Sequence, residues 1–456
     1  MKRSPLPALL LAALLLGGCA EQEPAYITVG EATYPADITQ LDLRDKELTP
    51  EEYTALCQAL PDCEILWKVP FQGQYLDPEL RQLTLDTLTE QGLENLSWLK
   101  NLEDIQIQSF PGSSVLEALA AAVPDCTIRY PVPMGDQTYS MFARQLTLCW
   151  DALSRNTEML AWLPELTDVV LTDTVTDLET ISSLIRDYPE IRFHFTFVLF
   201  DRELDSDAKE IDLSGIVMEN LDAVEAALPL FSGLEQLILC DTGLPSEELD
   251  ALWKRHPEIR VIWNVKVGYS WLRTDTTSFM PFKLGYDGLE GIEMTDRHMT
   301  EVKYLVDVVC MDLGHQGMTN IEFVRNMPNL KYLIIADSPV KDLSPLEDLK
   351  NLEYLEAFLN HIPDISPLAG CTGLRDVNLC YNDITDISPL LQLPHLENIW
   401  LSSNWGLTEE QRQQVRDTFP DAKIVFMTRS STGEGWRELP RYYEQRKLLG
   451  MGVMYG

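Results

Sequence analysis

Aromatic, acidic and amide side chains recur at a fixed interval in the second half of the sequence. Tyr332 and Tyr354 are 22 residues apart, and Glu356, Asn378 and Trp400 follow one another at the same interval. Aromatic residues dominate the hot spots of protein interfaces, so such a series beside carboxylates is typical of a surface that binds a partner. The full candidate set is Asp312, His315, Tyr332, Tyr354, Glu356, Phe358, Asn378, Tyr381 and Trp400.

The same residue types fit two other interpretations. Aromatic rings and carboxylates also suit the recognition of sugars, and aromatic pairs on neighbouring strands often pack only for stability. A less regular aromatic series precedes the candidate set and comprises Trp67, Tyr130, Trp150, Phe195 and Trp263. The residue types alone leave these alternatives open.

No pattern in the sequence indicates catalysis or metal binding. The six histidines are scattered, and the sequence contains no C-x-x-C, H-E-x-x-H, G-x-S-x-G or phosphate-binding G-x-x-x-x-G-K-[ST] motif. A pair of catalytic carboxylates cannot be inferred from acidic residues alone, since acids are common on any solvated face. We therefore expect no catalytic residue, no metal and no cofactor, and a protein that is not an enzyme.

The element that must position the candidate residues is a repeat. The pattern L-x-x-L-x-L-x-x-N-x-L recurs with first positions at Val308, Leu330, Leu352, Leu374 and Leu396. A second phrase, Asp-Ile/Leu-Ser-Pro-Leu, begins at Asp342, Asp364 and Asp386. This pattern resembles the leucine-rich repeat, and the second phrase resembles the 22-residue internalin type.

The resemblance implies an α/β solenoid, a leucine-rich repeat horseshoe with a parallel concave β-sheet and a mixed helical and 3-10 convex side. We expect about eighteen repeats over residues 38–427, irregular over 38–288 and regular over 289–427. Positions 4 and 6 of each repeat should point inward, since side chains alternate along a strand. The candidate residues should then lie on the concave face, where solenoids bind their partners.

Acidic residues after a capping residue indicate where helices begin in the irregular half. Thr49, Ser246 and Thr408 each precede or begin such a segment. Two segments break the repeat. Residues 268–288 form an aromatic insert, either a loop packed on its own aromatics or a lid. Residues 428–456 are locally basic and should cap the exposed apolar edge of the last turn.

The N-terminus resembles a bacterial lipoprotein signal. Lys2 and Arg3 precede an apolar run over residues 6–16, and Cys19 follows two glycines. We expect residues 1–18 to be removed, Cys19 to carry the lipid, and residues 19–37 to form a tether. The protein would be exported and held on a membrane by this anchor only.

The charge of the chain limits its partners. The formal net charge is −37, and it becomes −39 when Lys2 and Arg3 are removed with the signal. Binding to nucleic acid needs a concentrated basic surface, so that class is excluded. An acidic surface favours a partner with basic patches.

The eight cysteines after Cys19 should mostly be free thiols. Cys149, Cys240 and Cys380 share one repeat position several turns apart, which is beyond disulfide reach. Only the pairing of Cys57 with Cys63 remains open.

These observations favour a cell-surface, lipid-anchored repeat protein that binds a protein or peptide through its concave face. One alternative is an envelope glycan-binding protein or hydrolase. The other is a structural envelope protein without a specific ligand.

Overall fold

The computed structural model describes residues 26–29, 32–268, 270–281 and 293–451. The predicted signal peptide, Cys19, the start of the tether and residues 282–288 of the predicted insert lie outside the described residues. No helix in the described part of the chain is long and apolar enough to cross a membrane.

The chain forms two compact units. The first contains the described residues up to Thr174 together with Ser183–His194, and the second contains Val175–Ser182 together with the described residues from Phe195 onward.

Short parallel strands in the first unit alternate with antiparallel hairpins. The parallel sets are β3 with β4, β7 with β8 and β9, and β12 with β13, and the hairpins are β1–β2, β5–β6 and β10–β11. The strands are β1 (Tyr26–Val29), β2 (Ala32–Pro35), β3 (Gln40–Asp42), β4 (Glu64–Leu66), β5 (Val69–Phe71), β6 (Gln74–Leu76), β7 (Gln82–Leu85), β8 (Asp104–Ile107), β9 (Thr127–Arg129), β10 (Pro131–Met134), β11 (Gln137–Ser140), β12 (Gln145–Leu148) and β13 (Asp168–Val175). The helices are α1 (Pro50–Ala59), α2 (Ser113–Ala122) and α3 (Trp150–Ser154), and α4 (Leu178–Asp187) follows β13 along the chain.

The second unit contains two hairpins, a three-stranded parallel sheet and a seven-stranded parallel sheet. The hairpins are β14–β15 and β19–β20, the smaller sheet is β16–β18, and the larger is β21–β27. The strands are β14 (Arg192–Leu199), β15 (Arg202–Asp205), β16 (Glu210–Asp212), β17 (Gln236–Ile238), β18 (Arg260–Ile262), β19 (Asn264–Val267), β20 (Ser270–Arg273), β21 (Ser278–Phe279), β22 (Cys310–Asp312), β23 (Tyr332–Ile334), β24 (Tyr354–Glu356), β25 (Asp376–Asn378), β26 (Asn398–Trp400) and β27 (Lys423–Val425). The helices are α5 (Asp222–Ala227), α6 (Ser246–Arg255), α7 (Glu409–Thr418) and α8 (Pro440–Leu448).

The register of the large sheet confirms the 22-residue frame. Leu333 pairs with Leu355, Leu355 with Val377, and Val377 with Ile399, so position 4 of each repeat stacks on position 4 of the next. All four side chains are fully buried. Since no single turn can bury its own apolar residues, the stacking supplies the core. The structure thus folds as the leucine-rich repeat pattern predicts over these strands.

Part of the predicted insert belongs to the sheet. Ser278 and Phe279 pair with Cys310 and Met311 of β22, and Phe279 is buried in the core. Ser270–Arg273 forms the second strand of a hairpin with Asn264–Val267. The described part of the insert therefore contributes one strand of a hairpin and one strand of the large sheet, and the choice between a loop packed on its own aromatics and a lid stays a prediction. None of the hairpins β1–β2, β5–β6, β10–β11, β14–β15 and β19–β20 was predicted from the sequence.

Side-chain hydrogen bonds begin the return path of each repeat. The carboxylate of Asp342 accepts the amide of Ser344, and the same bond joins Asp364 to Ser366, at 2.8 Å in both. A 3-10 turn follows in which proline takes an early position, where no backbone N–H is needed. Thr49 and Thr408 cap α1 and α7 with complete capping boxes, as the acidic phrases predicted.

All eight described cysteines are free thiols in the structure. Cys57 and Cys63, the one pair left open by the sequence, are among them.

A ladder of buried asparagines joins successive repeats. The side-chain amides of Asn360, Asn382 and Asn404 donate to backbone carbonyls of the preceding repeat at 2.7–2.9 Å. The Oδ1 atom of Asn382 also accepts the amide of Ile362 at 2.9 Å. Each asparagine therefore satisfies buried backbone groups that no β-ladder reaches.

We expect Asn382→Ala to lower the free energy of unfolding by about 3 kcal/mol, because it leaves buried donors and acceptors without partners. Asn351→Ala is the matched control, since its exposed side chain donates one bond, to the carbonyl of Pro328 at 2.8 Å. That change should cost about 1 kcal/mol or less. Urea denaturation measures the free energy of unfolding of both variants. Equal losses in the two variants would contradict a stabilising role for the asparagine ladder.

Candidate binding surface on the regular repeats

The candidate residues lie together on one side of the large sheet. Tyr332 and Tyr354 are the first residues of β23 and β24, and Glu356, Asn378 and Trp400 are the last residues of β24, β25 and β26. Because these positions alternate with the inward ones, their side chains share the face opposite the core, which we call the sheet face. These five candidate residues therefore lie on one face of the sheet.

The sheet face is covered, contrary to the expectation from the sequence. Asp312 and Tyr381 are half-buried and His315 is exposed. The remaining six candidates are buried: Tyr332, Tyr354, Glu356, Phe358, Asn378 and Trp400. In this conformation these six side chains have almost no surface to offer a partner.

The covering segment is residues 428–451, which we call the tail. It contains a 3-10 turn at Trp436–Glu438 followed by α8. Trp436 is fully buried, and its ring centroid lies 5.2 Å from that of Tyr354 and 5.1 Å from that of Trp400. Leu439 and Leu449 are buried in the same cluster. The tail thus supplies the apolar contacts that complete this face.

The tail crosses the strands in the reverse of their order along the chain. The Trp400 indole N–H donates to the carbonyl of Gly433 at 2.9 Å, and the Tyr332 hydroxyl contacts the Glu444 carboxylate at 2.6 Å. Farther on, the Ser278 hydroxyl donates to the carbonyl of Leu448 at 2.9 Å. The predicted position as a cap on the last turn needs correction, because the tail extends from β26 back to β21.

Arg441 forms the electrostatic centre of this contact. Its guanidinium lies 2.9 Å from the carboxylate of Asp376, 3.0 Å from that of Glu397 and 3.9 Å from that of Glu353. Burial raises the pKa of Asp376 despite the opposing effects of Asn398 and Arg441. For Glu397, burial also favours the neutral form, but hydrogen bonds from Arg441 and Arg375 outweigh it and the pKa is lowered. Arg441 therefore compensates a carboxylate that has no solvent access.

Two further carboxylates lie beneath the tail. Glu356 is buried and accepts a hydrogen bond from the Tyr354 hydroxyl at 2.7 Å. Burial raises the pKa of Glu356 and of Asp312. Glu356 is held by the fold away from solvent and Asp312 is half-buried, so the arrangement does not resemble an accessible acid–base pair.

The earlier aromatic series belongs to the core. Trp67, Trp150, Phe195 and Trp263 are buried and Tyr130 is partly buried. The Trp67 ring lies edge-on to Trp98 with 6.0 Å between the ring centroids, and the Tyr130 ring lies edge-on to Trp162 with 6.2 Å between them. Packing for stability, one of the interpretations left open above, accounts for this series.

An apolar surface of which sequence reasoning named only Tyr381 lies beyond the C-terminal ends of the strands. Trp405 is 87% exposed, Met427 84% and Leu359 40%. His361, Tyr381 and Asp383 lie among them, and we call these six residues the exposed edge. Hydrogen bonds join their repeats, since the Leu359 amide donates to Cys380 and the Tyr381 amide to Ser402.

The repeat frame explains why these side chains point outward. The residue before the asparagine of each repeat has a left-handed backbone, with φ of 61° at Leu359, 55° at Tyr381 and 60° at Ser403. This conformation turns the chain out of the strand, so the residues that follow lie at the rim. Positions 8 and 10 of the frame were therefore the signal available in the sequence.

No group of three or more His, Cys, Asp or Glu residues suited to a metal occurs in the described part of the chain. Exposed tryptophan and methionine on a rim of acids match the composition of protein interfaces.

Comparison with known proteins gives similarities of fold class. No family model matches the sequence, and no curated protein matches it. An internalin, InlF from Listeria monocytogenes, is 18% identical, with 78% of this chain and 84% of that chain covered and a TM-score of 0.28. A leucine-rich repeat protein of Leptospira interrogans is 17% identical, with coverages of 75% and 93% and a TM-score of 0.28. The plant peptide hormone receptor RGFR1, in complex with RGF2, is 12% identical, with coverages of 81% and 56% and a TM-score of 0.21. At these TM-scores the similarities identify neither a function nor a partner.

Replacement of Glu356 by Gln tests the buried carboxylate. Since the folded state holds the Glu356 proton more tightly than the unfolded state, wild-type stability from this group falls as pH rises above the ordinary pKa of 4.5. Glutamine keeps the acceptor for Tyr354 and does not titrate. The stability of Glu356→Gln relative to wild type should therefore increase as pH rises above 4.5 and level off once the folded-state carboxyl group is ionised.

The matched control is Glu117→Gln, at an exposed position on α2. The stability difference of this variant from wild type, measured over the same pH range, is the baseline for the loss of an exposed carboxylate. A flat profile for Glu356→Gln, measured by urea denaturation at each pH, would refute a raised pKa at this site.

Proposed function

We propose that this chain is an exported, lipid-anchored repeat protein that binds a protein partner at the exposed edge. The observation that carries the proposal is the exposure of Trp405 and Met427, at 87% and 84%, on repeats whose other large apolar side chains are mostly buried. An apolar ridge kept in water on a well-packed scaffold is typical of an interaction site. The sheet face, named first from the sequence, is occupied by the tail, so the proposal moves the contact to the neighbouring rim.

The acidic residues at the exposed edge indicate what charge the partner should carry. Asp383 on the exposed edge and Asp337 beside it are exposed, and the whole chain carries −37. His361 and His315 lie within 3.4 Å and 2.9 Å of these carboxylates, respectively. A partner should therefore present an apolar pocket for Trp405 flanked by basic residues. Its association should slow as salt screens the attraction.

A glycan-binding function is the second candidate, favoured by a separate cleft. The cleft has a volume of about 360 Å³ and is lined by Trp271, Asp241, Thr242 and Asn264 among others. Trp271 is 63% exposed, and the amide of Asn264 donates to the Asp241 carboxylate at 3.0 Å. An aromatic face beside a carboxylate–amide pair provides stacking and hydrogen bonds for a neutral sugar. Binding there should be insensitive to salt.

We expect Trp405→Ala to weaken partner binding by at least about 30-fold, as loss of an interface hot spot does. The partner is first identified by crosslinking on cells that display the anchored protein, and its affinity is then titrated with purified chains. Trp271→Ala is the matched control, because it removes another exposed tryptophan and should change the affinity less than about twofold. Equal losses of partner affinity from the two substitutions would contradict binding at the exposed edge. Sugar binding that is lost only in Trp271→Ala would establish the glycan-binding function.

The anchor has its own test. Mass spectrometry of the mature protein should find Cys19 as a lipid-modified N-terminus, and Cys19→Ser should prevent processing at that position. An unmodified cysteine at the N-terminus, or cleavage elsewhere, would exclude lipid anchoring without affecting the binding proposal.

A further inference from the structure

The tail contacts the sheet face with the kinds of interaction that join separate polypeptides. Trp436 fills an aromatic site between Tyr354 and Trp400. Both terminal nitrogens of Arg441 lie 3.0 Å from one carboxylate oxygen of Glu397. A buried aromatic anchor and a caged arginine are the usual hot spots of an interface. The contact thus resembles a ligand seated on a receptor within one chain.

Polar atoms in this contact are incompletely satisfied. Asp376 Oδ2 and Gln445 Oε1 are buried without a hydrogen-bond partner among the described residues, and both lie between the tail and the sheet face. Glu356 is buried there too, with the neutral Tyr354 hydroxyl as its hydrogen-bond donor. Buried polar groups without partners oppose an association that apolar contacts favour. The stability of the covered state is therefore a balance between favourable apolar contacts and the unfavourable burial of these polar groups.

The connection to the tail is exposed at its start. Met427, Arg429 and Ser430 are exposed, and the Thr428 amide between them donates to the Ser402 hydroxyl at 3.1 Å. Contact with the candidate residues of the sheet face begins at Ser431, whose carbonyl accepts the side-chain amide of Asn378 at 2.9 Å. Contacts then continue to Leu448 without a return to the apolar core of the repeats. The tail can therefore leave the face without opening the stacked leucines beneath it.

We propose that the sheet face is a polypeptide-binding site whose resident occupant, the tail, exchanges for a segment of the same pattern on another protein. The pattern is an aromatic residue, then leucine three residues later, arginine five later and a carboxylate eight later, as in Trp436, Leu439, Arg441 and Glu444. This site is distinct from the exposed edge. It extends the protein's function to a second kind of partner, a polypeptide with one central arginine.

The arginine determines which segment binds. Asp376 has no solvent access, and Arg441 is its cationic partner within the described residues. A segment without that arginine would leave the carboxylate buried and unpaired, which is strongly unfavourable. Arg437, one turn earlier in the tail, is exposed and offers a matched comparison.

The experiment uses the full chain with a protease site inserted between Arg429 and Ser430. After cleavage, a fluorescent peptide of residues 430–456 is added, and its exchange into the protein is followed by anisotropy. We expect exchange within hours and competition by the unlabelled peptide. A peptide with Arg441→Ala should compete at least about 30-fold less well, whereas one with Arg437→Ala should compete within about threefold of wild type.

Three results would overturn the proposal. The cleaved tail could stay bound without exchange over a day of dilution, the two arginine peptides could compete equally, or release of the tail could unfold the repeats as monitored by circular dichroism. The first and third results would make the tail a fixed part of the fold, and the second would refute the claim that the arginine determines which segment binds. The probe comes from this chain alone, so the outcome is independent of whether Trp405 binds a partner.

Discussion

The structure depends on one constraint: a 22-residue turn cannot bury its own leucines and must place them against the next turn. Leu333, Leu355 and Val377 meet this requirement by stacking in register along the sheet. Burial of that row would leave backbone amides and carbonyls without hydrogen-bond partners at the points where the chain leaves each strand. The asparagines at position 9 satisfy those groups, so apolar packing and hydrogen bonding impose the same period.

Once the core is on one side of the sheet, the residues of the other side must either be polar or be covered. In the regular repeats they include Tyr354, Phe358 and Trp400, which together are too apolar to be left in water. The tail resolves this by bringing Trp436 and Leu439 onto them. Its position also explains the buried charges. Glu356 and Asp376 are the two carboxylate residues that are buried in the described part of the chain, and both lie beneath it.

The parts of this fold that follow from local repetition could be predicted from the sequence. The register of β23–β26, the buried asparagines and the caps at Thr49 and Thr408 each follow from spacings of a few residues or one period. The placement of the tail could not be predicted, because it depends on contacts such as Tyr332 with Glu444, 112 residues apart. The hairpins were missed for another reason. Their turns, such as Gln72–Gly73 with φ of 46° and 78°, carry a signal only locally and interrupt the period that guided the rest.

The position of a residue in the repeat determines whether its side chain is covered or exposed, as two tryptophans five residues apart show. Trp400 is the last residue of a strand, at position 5, and is buried under the tail, whereas Trp405 follows the left-handed turn and is 87% exposed. Aromatic content alone could not distinguish them, since both lie in acidic, apolar surroundings. The backbone conformation at Ser403 separates the two, because it directs the chain from the covered face to the rim. Spacing alone therefore identifies the aromatic series that the tail covers, to which Trp400 belongs. The exposed binding candidate, Trp405, lies just outside that series and is found only from the backbone conformation.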